Sequence, residues 1–72
     1  MSRPVLARVA KVILDLSESG EVPIDRIKYT NPKMAALAAT VPEAISRSIK
    51  TFKSDKIIQA SRTKISVLVP ER

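Results

Sequence analysis

The sequence predicts an α+β domain of three helices and a small antiparallel β-hairpin. Three patterns lead to this prediction: apolar residues at helical spacing near the start, a longer helical pattern divided by a proline, and alternating apolar residues near the end. Seventy-two residues suffice for one small domain, which buries only about 60% of its unfolded surface. We therefore expect a single domain over residues 1–72.

Composition narrows the classes of function. The sequence has no cysteine and no histidine, which removes thiolate or imidazole metal sites and the commonest nucleophile and general base. We therefore expect no enzyme activity, no catalytic residue, no cofactor and no metal. No apolar run approaches the ~20 residues that span a bilayer, and Asp15 interrupts the first apolar pattern, unlike a secretory signal. A cytoplasmic location is the default expectation.

The positive charge is concentrated in the second part of the chain. Residues 1–30 carry five basic and four acidic groups, whereas residues 31–72 carry eight basic and three acidic groups, so the two parts contribute +1 and +5 to the net charge of +6. A basic surface on a small domain attracts polyanions through counterion release. Charge alone is also compatible with an unspecialised soluble surface.

The first helix is predicted from Arg3 to Ser19. Ser2 can cap it, Pro4 fits its first turn, and Gly20 suits its end. Its apolar positions are Val5, Leu6, Val9, Val12, Ile13 and Leu16.

After the first helix, Pro23 and an irregular apolar series predict a loop that leads into a small edge strand near Ile27 to Tyr29. We interpret Tyr29 as a packed ring, although it could stack on a base.

A second helix is predicted from Asn31 to Ala39. Thr30 is its N-cap, and Pro32 is tolerated in the first turn because its missing N–H is not needed there. The small side chain of Ala35 allows a neighbouring helix to approach closely. The side chains expected to pack inward are Met34, Leu37 and Ala38.

A third helix is predicted from Pro42 to Ser54. Proline disfavours helical geometry in the residue before it, so the chain should break at Val41 and restart at Pro42. At about 100° per residue, the helix separates into two faces. The packing face has Ile45, Ile49 and Phe52, and the opposite face has Glu43, Ser46, Arg47 and Lys50.

The end of the chain predicts a β-hairpin. Ile57 and Ile58 precede a polar turn, and alternating residues then run from Lys64 to Val69 before Pro70. Arg62 and Lys64 at the tip could lie along phosphates, although charged hairpin tips also serve solubility alone.

This order of elements is that of a winged helix-turn-helix domain. The strings RVAKVILDL, IKYTNPKMAALAATVPEAISRSIKTF and KIIQASRTKISVLV resemble the C-terminal DNA-binding domain of the CRP/FNR family of bacterial transcription regulators, over nearly the whole chain. The E-x-x-S-R spacing of Glu43, Ser46 and Arg47 is similar to the FNR branch. Pro42 stands where CRP-type members usually carry arginine. Ala39 stands at a usual turn glycine, and Arg62 near a usual wing glycine.

The resemblance implies sequence-specific binding of double-stranded DNA in transcription regulation, with the third helix in the major groove. An arginine fork can bind guanine, a carboxylate can accept from cytosine, and a hydroxyl can meet either kind of base edge. The residues expected to read bases are Glu43, Ser46 and Arg47. Those expected to contact the DNA backbone are Thr30, Lys33, Lys50, Lys53, Arg62 and Lys64.

The resemblance further implies a TTGAT-like half-site in an inverted repeat, bound by a homodimer. The sensor barrel and dimerisation helix of the family have no counterpart in these residues, so the chain is either an excised domain or a stand-alone relative.

Three alternatives stay open: a winged helix that binds protein and not DNA, an unrelated winged-helix DNA binder with another operator, and, most distantly, an enzyme. The polar face of the third helix could also be an ordinary solvated surface with a Glu43–Arg47 pair.

Overall fold

The protein folds as three helices packed against a three-stranded antiparallel sheet, which confirms the predicted fold class. The computed structural model describes residues 3–68. The helices are α1 (Arg3–Leu16), α2 (Asn31–Leu37) and α3 (Pro42–Ser54). The strands are β1 (Ile24–Asp25), β2 (Ile58–Ala60) and β3 (Lys64–Val67). The core draws on every one of these elements through Val9, Val12, Ile13, Ile24, Met34, Ala35, Ala38, Ile45, Ile58 and Ile65.

Helix α1 ends at Leu16, three residues before the predicted end at Ser19. The backbone N–H of Ser19 donates to the carbonyl of Leu14 at 2.8 Å, and the N–H of Gly20 donates to Oγ of the buried Ser17 at 3.0 Å. Glu18, Ser19 and Gly20 all have positive φ, with +92° at Gly20. The chain therefore closes the helix through a left-handed turn before it reaches the glycine.

The strand predicted near Ile27 to Tyr29 is wrong, because the strand lies earlier, at Ile24–Asp25. Ile24 is buried and pairs with Ile65, whereas Ile27 is 78% exposed. Asp25 ends the strand: its carboxylate Oδ1 accepts the N–H of Ile27 at 2.9 Å and its carbonyl accepts the N–H of Tyr29 at 2.8 Å. These two hydrogen bonds fold the residues after Asp25, where the strand was predicted, into a turn.

Helix α2 begins as predicted, with Oγ1 of Thr30 accepting the N–H of Lys33 at 3.4 Å. It ends at Leu37, two residues before the predicted Ala39, which has a φ of +55° and cannot continue the helix. The prediction that Leu37 packs inward is also wrong, since 54% of that residue is exposed. Met34, Ala35 and Ala38 form the buried stripe, and Leu37 lies about 100° around the helix from it.

Helix α3 has the predicted bounds. Val41 is extended, with φ −111° and ψ 158°, and Pro42 begins the helix directly after it. Ile45 is fully buried, and Ile49 and Phe52 pack against the core from the same side. The packing face of this helix is therefore confirmed.

The predicted hairpin is confirmed and belongs to a larger sheet. Strand β3 lies in the middle, with β2 on one side and β1 on the other. At the tip, Oγ of Ser61 accepts the N–H groups of Thr63 at 3.4 Å and Lys64 at 3.1 Å. Arg62 is not among the residues with positive φ in the described part of the chain, so this turn does not require glycine there. The predicted end of the hairpin at Val69 lies outside the described residues.

Candidate nucleic-acid interface

The exposed side of α3 brings together the residues predicted to read bases. Glu43, Ser46, Arg47 and Lys50 are all exposed, while Ile45 on the opposite side is fully buried. We call the three that are predicted to read bases, Glu43, Ser46 and Arg47, the reading face. Because α3 is anchored through its buried side, the reading face is presented to solvent on a rigid rod.

Within the reading face, Glu43 and Arg47 form an ion pair. Nη2 of Arg47 donates to Oε2 of Glu43 at 3.1 Å, and the two side chains are 67% and 74% exposed. Such an i,i+4 pair in water stabilises a helix by only a few tenths of a kcal/mol. A stronger partner can therefore separate the two side chains easily.

We call the hairpin of β2 and β3 the wing. A positively charged cleft lies between α3 and the wing. The cleft has a volume of about 470 Å³. Its lining comprises Ser46, Ile49, Lys50, Lys53, Ala60, Ser61 and Arg62. Three of these side chains are cations and none is acidic, so the cleft favours a polyanion. Lys64 is also exposed. It is the first residue of β3 and directly follows the wing tip.

The remaining residues predicted to contact the DNA backbone lie at the beginning of α2. Oγ1 of Thr30 accepts a backbone N–H as the helix cap, which leaves its hydroxyl hydrogen available to donate. Lys33 is exposed, and its ammonium lies 5.7 Å from the centre of the Tyr29 ring. The structure thus separates the predicted backbone contacts into two groups, one on α3 and the wing and one at α2.

Arg26, which the sequence analysis did not single out, joins these two groups. Its guanidinium donates to the Tyr29 carbonyl at 3.0 Å and to Oδ1 of Asn31, and it also contacts Sδ of Met34 at 2.9 Å. Its backbone N–H donates to the Thr63 carbonyl at the wing tip at 2.8 Å. Burial lowers the pKa of Arg26. No spacing rule in the sequence reveals such contacts, which arise from a turn and a sheet together.

A second cation that the sequence analysis left out, Lys28, lies beside the same aromatic ring. Its ammonium is 5.5 Å from the centre of the Tyr29 ring. The adjacent lysine and tyrosine in the sequence were a usable signal, because cation–π contacts form over such distances. The Tyr29 ring itself packs against the core, in agreement with its structural interpretation.

The paired helices α2 and α3, the exposed polar face on the second of them, and the basic wing define a winged helix-turn-helix domain of the DNA-binding class. Comparison with known families supports this class. The family model described as the Crp-like helix-turn-helix domain matches residues 7–72, and the chain belongs to that family. Its general role is DNA binding in transcription regulation, with double-stranded DNA as the partner.

No curated protein matches the chain, and no solved structure does. Within residues 3–68, no helix combines the length and the apolar character needed to cross a bilayer.

Proposed function

We propose that the domain binds double-stranded DNA sequence-specifically, with α3 in the major groove. The observation that carries this proposal is the reading face: three chemically distinct side chains, Glu43, Ser46 and Arg47, project from one side of a helix whose other side is core. A helix of this kind fits the major groove, which is about 12 Å wide.

In the proposed complex, the residues of the reading face have separate roles. The Arg47 guanidinium donates to guanine O6 and N7, the Glu43 carboxylate accepts from the cytosine amino group, and Ser46 meets the neighbouring base pair. The exposed Glu43–Arg47 ion pair opens or reorients on binding, at little cost in free energy. The free protein thus keeps the charges of Glu43 and Arg47 paired until a base pair replaces their contact.

The proposed backbone contacts surround the reading face. Lys50, Lys53 and Arg62 line the cleft between α3 and the wing, and Lys64 follows the wing tip. Thr30 and Lys33 lie at the beginning of α2, the helix that crosses the DNA backbone in this class of domain. These residues position the reading face and carry no sequence information themselves.

The similarity to the FNR branch extends the proposal to an operator. The half-site is TTGAT-like and lies within an inverted repeat, and two copies of the domain bind the repeat as a homodimer. The isolated domain then binds weakly, because each copy makes only half of the contacts.

Two variants test the groove assignment. Arg47→Ala should lose about 1–3 kcal/mol on the matched half-site and flatten preference at one base pair. Lys50→Ala should weaken binding to all sequences alike and reduce the salt slope by about one. Both can be measured by fluorescence anisotropy on a panel of duplexes with single-base changes.

Unchanged base preference in Arg47→Ala would refute the groove assignment. A randomised-site selection with the unaltered domain checks the operator, and the absence of a TTGA-like core would mean a different half-site. In NMR titration with duplex DNA at low salt, shifts that avoid α3 would instead favour a protein-interaction module.

A further inference from the structure

The Tyr29 ring lies close to two lysines that have no acidic partner among residues 3–68. The ammonium groups of Lys28 and Lys33 are 5.5 Å and 5.7 Å from the centre of its ring. The ion pairs among residues 3–68 are Lys11–Asp15 and Glu43–Arg47, so neither of these two lysines is neutralised by a carboxylate. The negative face of the ring attracts both cations, which would otherwise repel each other and spread apart.

The ring is held in a fixed position. It packs against the hydrophobic core, and the Tyr29 carbonyl accepts a hydrogen bond from the Arg26 guanidinium at 3.0 Å. Arg26 also bonds to Asn31, the first residue of α2, and through its backbone to Thr63 at the wing tip. The two lysines are therefore attached to a site whose geometry relative to both α2 and the wing is set by the fold.

We propose that Tyr29 is a positioning residue for DNA binding: its ring orders the Lys28 and Lys33 ammonium groups so that together they contact phosphates of the DNA backbone. The proposal deepens the function proposed above and rests on it. It adds Lys28 to the backbone contacts and gives Tyr29 a role besides packing. Ordering the two side chains before binding removes part of the entropy loss that flexible lysines suffer on contact.

The arrangement can be tested first in the free protein. NMR should show the ε-methylene protons of Lys28 and Lys33 shifted upfield by the ring current of Tyr29. The shift should persist in Tyr29→Phe, which keeps the ring, and disappear in Tyr29→Leu, which keeps an apolar side chain. If the ε-methylene protons of both lysines had unperturbed chemical shifts in the unaltered protein, the proposal would be overturned before any DNA is added.

The role in binding is tested on a short duplex of random sequence over a range of salt concentrations. Lys28→Gln should reduce the slope of log K against log salt by about 0.9. Tyr29→Leu should weaken binding by about two- to five-fold, and Tyr29→Phe should bind like the unaltered protein. Lys11→Gln is the matched control, because it removes an exposed charge on α1 and should change the slope less.

Coupling between the residues separates positioning from simple packing. The loss caused by Lys28→Gln should be smaller in the Tyr29→Leu background, because the ring no longer orders that lysine. Additive losses, or equal weakening by Tyr29→Phe and Tyr29→Leu, would overturn the role of the ring. Circular dichroism of each variant checks that the helices are intact.

Lys50→Ala distinguishes failure of this proposal from failure of the proposed function. If Lys50→Ala weakens binding while Lys28→Gln and Tyr29→Leu do not, the proposed DNA binding stands and the role of Tyr29 is refuted. If none of these variants changes the affinity, the proposed function itself is wrong, and the positioning role is wrong with it.

Discussion

Ala39 has a backbone conformation that its side chain disfavours. Its φ is +55°, in the turn between α2 and α3, and the N–H of Thr40 donates to the Ala35 carbonyl at 2.8 Å across that turn. The left-handed region costs a residue with a Cβ about 1–2 kcal/mol. Alanine stands here in place of the usual glycine, and the turn still has the left-handed geometry that suits glycine. The Ala39 backbone is therefore strained.

Ala39→Gly should raise the free energy of unfolding by about 0.5–1 kcal/mol, because the relief of strain exceeds the added entropy of the unfolded chain. Urea denaturation measures the change. Ala36→Gly is the matched control: Ala36 is exposed within α2, and its replacement should lower stability by about 1 kcal/mol. Equal destabilisation by the two glycines would show that Ala39 is not strained.

Arg26 shows what the sequence cannot reveal about a single residue. As a basic residue in a basic domain, it could have been predicted to contact DNA. Its guanidinium instead donates hydrogen bonds to the Tyr29 carbonyl and to Oδ1 of Asn31. Leu37 is the opposite case, since its apolar character predicted burial and it is largely exposed. In both, the outcome depends on neighbours that are brought close by the fold and not by spacing along the chain.

Among the elements, α3 could be predicted residue by residue, whereas β1 could not. Helix α3 has thirteen residues, a clear apolar stripe and a proline at its beginning, so several independent signals agree. Strand β1 has two residues and exists because β3 pairs with it. A strand that short carries no periodicity, so only its partner defines it.

Helix α3 also begins without a side-chain cap. Val41 is its N-cap residue, is extended and 58% exposed, and makes no capping hydrogen bond. Val41→Ser should raise stability by about 0.5–1 kcal/mol, since a serine hydroxyl can accept an unpaired N–H of the first turn. Thermal unfolding should show a rise of about 4–8 °C per kcal/mol in a domain of this size.

The control for the cap is a valine of similar exposure outside a helix terminus. Val22→Ser removes an apolar side chain that is 42% exposed in the loop before β1, and should change stability by no more than about 0.5 kcal/mol. A gain confined to Val41→Ser would establish the cap. Equal changes in both variants would mean that the hydroxyl acts by replacing an exposed apolar side chain and not by capping the helix.

At the scale of the whole molecule, the order of elements and the exposed side of α3 could be predicted, and the connection between the parts could not. The sheet order β1-β3-β2 sets the wing beside the segment that precedes α2. Through it, the N–H of Arg26 reaches the Thr63 carbonyl. Long-range pairing of this kind leaves no mark in local sequence patterns.

Two copies of the domain joined by a flexible linker should bind an inverted repeat more tightly than one copy. Half-sites centred one helical turn apart, about 10 base pairs, allow both reading faces to enter the groove on one side of the duplex. The expected gain is about 10²- to 10⁴-fold, which titration calorimetry can measure. A duplex whose spacing is changed by half a turn is the control, and equal affinity for both spacings would refute the two-fold arrangement.

The central position of β3 also governs when the domain can form. Both β1 and β2 pair with β3 and not with each other, and β3 is the last strand of the described chain. A ribosome must therefore release nearly all of these residues from its exit tunnel before either earlier strand finds its partner. Nascent chains stalled before β3 leaves the tunnel should therefore lack the wing, and their short helices, which pack against Ile58 and Ile65, should be only marginally stable.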